Sequence, residues 1–172
     1  MKVNPAGAGA VRVRLTAPEA DTLASLLTDL IAALQPDGLD PSDPVYRRLY
    51  PDGYQGNAEA ADAFRSLTES SLRTERLERA EQCLAGLAAA GQSANRKMDV
   101  TLEPHAVERW LRVLNDMRLA IGTRIGITED DDYDFDPNDP ASLPRSIYAY
   151  LTGVQDAVVR GAHGLTSILG PC

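Results

Sequence analysis

Four aspartates, Asp130, Asp132, Asp134 and Asp136, recur at every second position within TEDDDYDFDPNDP (128–140). Carboxylates at that spacing are how the first half of a calcium loop presents its ligands. The pattern goes no further. Counted from Asp130, the position that needs glycine is Phe135 and the bidentate glutamate position is Ala141; counted from Asp132 they are Pro137 and Leu143. No metal site is assigned, and the stretch reads as a solvated acidic loop that offers weak divalent binding or a surface for a basic partner.

Asn115, Asp116 and Arg118 form a second constellation, a polar cluster set into the otherwise apolar stretch Leu102–Ile127. Such a trio can orient a polar substrate. However, no serine, cysteine or histidine stands in a recognisable nucleophile–base arrangement, so no catalytic residue is assigned. Arg118 shares a helical face with Val107, Trp110, Leu111, Leu114, Ile121 and Ile125. A guanidinium there cannot shed its proton and needs fixed acceptors. Asp62, Glu59 and the side chain of Asn115 are the candidates, and Asp116 points elsewhere, toward Arg65 or Arg124. Two readings stand: a buried structural network, or a ligand or partner contact.

The remaining reactive residues are less suggestive. His105 and His163 share no ligand spacing with Cys83 or Cys172, so a zinc site is not expected. The two cysteines form no disulfide framework and fit a reducing compartment. Cys83 reads as a small core residue on a helical stripe. GAGA at 7–10 precedes a strand instead of joining strand to helix, which fails the context test for a phosphate loop. No cofactor is expected.

The elements that would position these groups follow from periodicity. AVRVRL (10–15) alternates as a half-buried strand, with Arg12 and Arg14 on the polar side. Thr16 and Glu19 have capping-box spacing, and Leu23, Leu27, Leu30, Ile31 and Leu34 then give a helical stripe. VYRRLYP (45–51) predicts a single helical turn packing its tyrosines and Leu49 on the core. A short helix from Ala58 to Leu67 is followed, at Thr68, by a new or kinked helix from about Glu69 to Ala90. Its inner face is Leu72, Leu77, Ala80, Leu84 and Leu87, and the sign-interleaved Arg73, Glu75, Arg76, Glu78, Arg79 and Glu81 read as a solvated face. KMDVTL (97–102) is the second strand, pairing with the first so that Asp99 meets Arg12 and Arg14. Pro104 opens and Gly126 closes the central helix. The last helix starts at Ser142 and buries Ile147, Leu151, Val154, Val158 and Ala162, with Gly153, Gly161 and Gly164 admitting a close neighbour.

The fold class is therefore mainly α: one helical bundle of about five helices with a minor two-stranded β element. Residues 1–9 are a flexible lead, 10–166 the domain and 167–172 a fraying tail. A net charge of −8 excludes a general nucleic-acid or anionic-membrane binder. No run reaches the ~18 apolar residues of a membrane span. With no apolar signal segment at the start, a cytoplasmic location is expected. An exposed ribbon edge makes a homo-oligomer an expectation, alongside unidentified protein partners.

On RRLYPDGY (47–54), AFRSLTESSLR (63–73), WLRVLNDMRLAIGTRIGI (110–127) and YAYLTGVQDAVV (148–159), the chain resembles the actinobacterial domain of unknown function 2017 family over nearly its whole length. Gln55-Gly56-Asn57 and Ser70-Ser71 depart from acidic residues associated with that family's loops. The resemblance supplies no catalytic residue. It implies a non-enzymatic interaction or regulatory role, tied to Clp-type regulated proteolysis by gene neighbourhood with the adaptor of that protease. The rival is an enzyme or small-ligand binder using Asn115, Asp116 and Arg118.

Overall fold

Alternating Val11, Val13 and Leu15 bury one face of a strand, and a capping box turns the chain straight from it into a helix. The computed structural model, which describes residues 1–51, 58–90, 97–128, 139–165 and 167–168, holds a second strand-to-helix unit, entered at Glu103 without a side-chain cap. Strand β1 (Lys2–Gly7) turns into β2 (Ala10–Thr16), then α1 (Ala17–Leu34) and the short α2 (Pro44–Leu49). The long α3 (Ala58–Ala89) leads to β3 (Lys97–Leu102) and α4 (Pro104–Ile125). A 3-10 turn at Pro140–Ser142 opens α5 (Leu143–Ala162), and β4 (Ser167–Ile168) closes the sequence of elements. The strands form one antiparallel sheet in the order β3-β2-β1-β4, with the helices packed around and against it.

The expected pairing of 10–15 with 97–102 is present, with Val13 opposite Val100 and Arg14 opposite Asp99. Arg14 donates to Asp99 at 2.7 and 3.1 Å on the exposed face. Such an exposed pair fixes register more than it adds stability, about 0–1 kcal/mol. At the start of α1, the Thr16 hydroxyl accepts from the Glu19 N–H while the Glu19 carboxylate accepts from the Thr16 N–H at 2.7 Å. The Met1 ammonium also reaches Glu19. Burial alone would raise the Glu19 pKa, but the ammonium and the Thr16 donors outweigh it and hold the carboxyl below its ordinary value.

Two expectations about the ends are corrected. Residues 1–9 are not a flexible lead: Lys2–Gly7 is a full strand, with Val3 wholly buried. Gly7 at the end of β1 and the two residues after it, Ala8 and Gly9, all have positive φ, so the small residues of GAGA make the hairpin turn. Nor is the C-terminal stretch all tail, because Ser167 and Ile168 pair with Val3 and Lys2. The sheet thus exceeds the expected two strands: β1, β2 and β3 are full strands and β4 adds a two-residue edge.

At Thr68, where a new or kinked helix was expected, α3 does not end: it is one helix from Ala58 to Ala89. The hydroxyls that suggested a cap turn back onto their own helix. Thr68 donates to the Phe64 carbonyl, Ser71 to Thr68 and Thr74 to Ser70, each at 2.9 Å. Bonded in that way they satisfy themselves without ending the helix. On the amino-terminal half of α3, Leu67 is 82% exposed and Phe64 and Leu72 are more than a third exposed.

Helix α5 lies on the sheet. A Cβ built on Gly161 would stand 2.9 Å from Val3 Cγ1 and 3.0 Å from Val11 Cγ1, so the expected close neighbour is there, and it is the sheet. Gly161→Ala should lower stability by about 1–2 kcal/mol in a denaturant titration, since overpacking outweighs the ~1 kcal/mol gain in helix propensity. A stabilised variant would show that the sheet yields freely at this point.

Candidate functional site

The polar residues converge where α2 meets α3 and α4. Val45, Tyr46, Leu49 and Tyr50 are all buried, so the predicted helical turn at 45–51 packs as expected. Its N-cap is Asp43, which accepts from the Val45 N–H at 2.8 Å and pairs with Arg124 at 2.7 Å. That N–H, with Arg124 beside it, lowers the Asp43 pKa.

Asp116 is 4% exposed, the one charged residue on the buried face of α4. Its partner is Arg76 on α3, and Arg124, one of the two expected partners, pairs with Asp43 instead. Arg76 also donates to the Leu49 carbonyl at 3.0 Å, closing the C-terminal end of α2. One helical turn earlier, Arg73 donates to the Gln35 carbonyl at 2.9 Å, just past the end of α1, and pairs with Glu69. Tyr46 donates its hydroxyl to the other oxygen of Glu69. Both guanidinium groups lie over the Tyr50 ring, at 5.1 and 5.8 Å from its centroid. Burial raises the Tyr50 pKa despite these two cations, so the phenol stays protonated.

Arg73 and Arg76 thus act as a clasp. Each brings a cation to the carbonyls at the C-terminal end of another helix, where the macrodipole favours positive charge. Glu69 and Asp116 balance the two charges. Reading Arg73 and Arg76 as part of a solvated face is therefore corrected, because their stems lie along the core and their heads turn inward. Glu69, four residues before Arg73, is a local signal for that arginine, and Arg76 has none that sets it apart from Arg79.

Arg118 is half-buried, as its stripe position implies, but its partners are not carboxylates. It donates to Thr152 Oγ1 at 3.0 Å, Gln155 Oε1 at 2.7 Å and the Tyr148 hydroxyl at 3.3 Å, and stacks on the Tyr148 ring. All of these belong to α5, so Arg118 ties α4 to α5. The buried face of α4 is also rotated from the expected stripe: Val113, Asp116 and Met117 are buried while Leu111, Ile121 and Ile125 are only partly so. The reason is that α4 is covered on several sides, by α2, α3 and α5. Arg118→Ala should cost about 1–2 kcal/mol, less than a broken buried ion pair, and Arg118→Lys should recover little because a lysine cannot reach three acceptors from one plane. Thermal melting of both variants measures this.

Asn115 is exposed and does not join Asp116 or Arg118 in one site. The side chains of Arg65, Asp62 and Glu59, and the loop with Asp130, Asp132, Asp134 and Asp136, lie outside the described residues. Among the described residues, no group of three His, Cys, Asp or Glu side chains is placed to hold a metal ion, and no helix is long and apolar enough to cross a membrane. Cys83 is buried, and burial pushes its thiol pKa up to about 12. His105 and His163 are exposed.

The segments that carry the family resemblance are the ones that meet here. Tyr50 comes from the first, Glu69 and Arg73 from the second, Asp116 and Arg118 from the third, and Tyr148, Thr152 and Gln155 from the fourth. A family model described as "Domain of unknown function (DUF2017)" matches residues 2–162. The chain belongs to this family. A DUF2017 match over that span takes in all five helices and the three full strands. The chain is also similar to the "Putative oxidative stress regulator AosR" of Mycobacterium leprae (strain TN), at 28% identity over 132 residues. That alignment covers 69% of this chain and 58% of the relative, so the chain spans little more than half of that protein's length. No solved structure matches.

Proposed function

We propose that this DUF2017 protein is a non-enzymatic interaction or regulatory protein of the cytoplasm. The observation that carries the reading is the fate of the polar cluster. Asp116 and Arg118, the residues best suited to act on a ligand, are engaged by Arg76 and by three groups of α5. Groups held in this way secure helices and are not presented to a substrate. The rival reading, an enzyme or ligand binder built on Asn115, Asp116 and Arg118, needs those three to converge, and Asn115 stands apart.

What such a protein presents is surface. Leu67 on the amino-terminal half of α3 is 82% exposed, three residues from Phe64, and such an uncovered apolar side chain on a helix face is an anchor for a partner. The name of the Mycobacterium relative, "Putative oxidative stress regulator AosR", agrees with this reading. If regulation here responds to oxidants, Cys83 is not the sensor, because a buried thiol with a raised pKa supplies little thiolate. A link to Clp-type proteolysis, implied by the family resemblance, is the partner class to examine first.

The test is affinity capture from native lysate with the parent chain and with Leu67→Asp. Leu67 is so exposed that the substitution should leave the melting temperature within a few degrees. The reading expects a stoichiometric protein held by the parent and lost, at least about tenfold, from the variant. Equal capture by both, or capture by neither, would count against it.

A further inference from the structure

We propose that the cavity between the sheet, α1, α3, α4 and α5 is a binding site for a small apolar carboxylate. Its volume is about 200 Å³. Its deep wall is aliphatic, built from Leu15, Leu23, Leu87, Leu114 and Val154, with Trp110 beside them. Its open side carries the exposed Gln82 and Gly86 of α3 and the half-exposed Arg109 of α4. An apolar recess with a few polar groups at its rim is the usual form of a small-molecule site.

The charge at the rim selects the ligand class. Arg73, Arg76 and Arg118 all have acceptors, whereas Arg109 makes no hydrogen bond or ion pair among the described residues. Cys83 does not neutralise it, since burial pushes that thiol up to about 12 even against the pull of Arg109. A guanidinium offers a planar pair of donors matched to a carboxylate, and the Gln82 amide at the same rim adds a neutral donor. A dry apolar cavity of about 150 Å³ takes up benzene. One of about 200 Å³ therefore suits a single aromatic ring or an acyl chain of about eight carbons. This site shares no residue with the Phe64–Leu67 surface, so it stands or falls apart from the interaction reading.

Trp110 is the only tryptophan in the chain and lines the cavity, so its emission reports occupancy. The experiment titrates the full chain with sodium octanoate and, in parallel, with 1-octanol. Octanoate should give a saturable change in Trp110 emission, with octanol at least about tenfold weaker. Arg109→Gln should bring octanoate down to the level of octanol. A Cβ on Gly86 meets nothing within 4 Å, so Gly86→Phe fits on the helix and should close the open side, removing the response to both compounds with the circular dichroism unchanged. If Gly86→Phe does not fold, Arg109→Gln alone decides. No saturable response from the parent would overturn the site. Equal binding of octanoate and octanol, unaffected by Arg109→Gln, would overturn the carboxylate assignment. An undiminished response in folded Gly86→Phe would overturn the location.

Discussion

Asp116→Ala should cost about 3–5 kcal/mol of folding stability, the penalty for leaving a buried cation without its partner. Arg76 would stay half-enclosed between Tyr50 and α4, with only the Leu49 carbonyl to receive it. For a domain of this size each kcal/mol shifts the melting temperature by about 2–4 °C, so a fall of about 10 °C is expected. The control is Arg112→Ala on the same helix. Arg112 pairs with Glu108 four residues away and both are well exposed, so its loss should cost no more than about 0.5 kcal/mol. Melting the two variants side by side measures the difference. Similar melting temperatures would mean that water reaches Asp116.

Leu49→Ala is expected to cost about 2–5 kcal/mol, the range for a wholly buried leucine. The physical reason is local. Helix α2 has only six residues, too few to stand by propensity, so its place depends on Val45, Tyr46 and Leu49. Losing Leu49 should loosen the segment and move its carbonyl away from Arg76. Amide exchange through residues 44–50 should then rise well above that of α4. If exchange rises equally everywhere, α2 is not a separable part of the clasp and unfolds only with the whole domain.

The parts of this fold legible in the sequence are those written in short-range pattern. Val11, Val13 and Leu15 alternate, and Thr16 with Glu19 announces the start of α1 without reference to anything distant. The pairing of β2 with β3 was legible because Arg14 and Asp99 are complementary across it. Strand β1 was not, since Val3 is its one wholly buried side chain and Asn4, Pro5, Ala6 and Gly7 carry no alternation. Helix α3 looked broken because Thr68, Ser71 and Thr74 can cap a helix as readily as they bond back onto it.

The candidate site was half legible for a related reason. Asp116 and Arg118 declared themselves as charges in an apolar stripe, but their partners lie 40 and 30 to 37 residues away. Nothing local distinguishes Arg76 from Arg79 in a run of alternating sign. Only the tertiary approach of α3 to α4 makes one the partner of Asp116 and leaves the other with Glu75, four residues away on its own helix.

The central claim is that the polar cluster is a structural clasp and not a site that acts on a ligand. A double-mutant cycle on Arg76 and Asp116 tests it most directly, using Arg76→Met, Asp116→Leu and the two combined, with denaturant unfolding as the readout. The account predicts that each single change is strongly destabilising and that the double variant regains most of the loss, because two apolar groups can replace a buried ion pair once neither charge is left alone. The double variant should also hold the same protein partner as the parent. Additive losses with no coupling, or a stable double variant that no longer binds the partner, would contradict it.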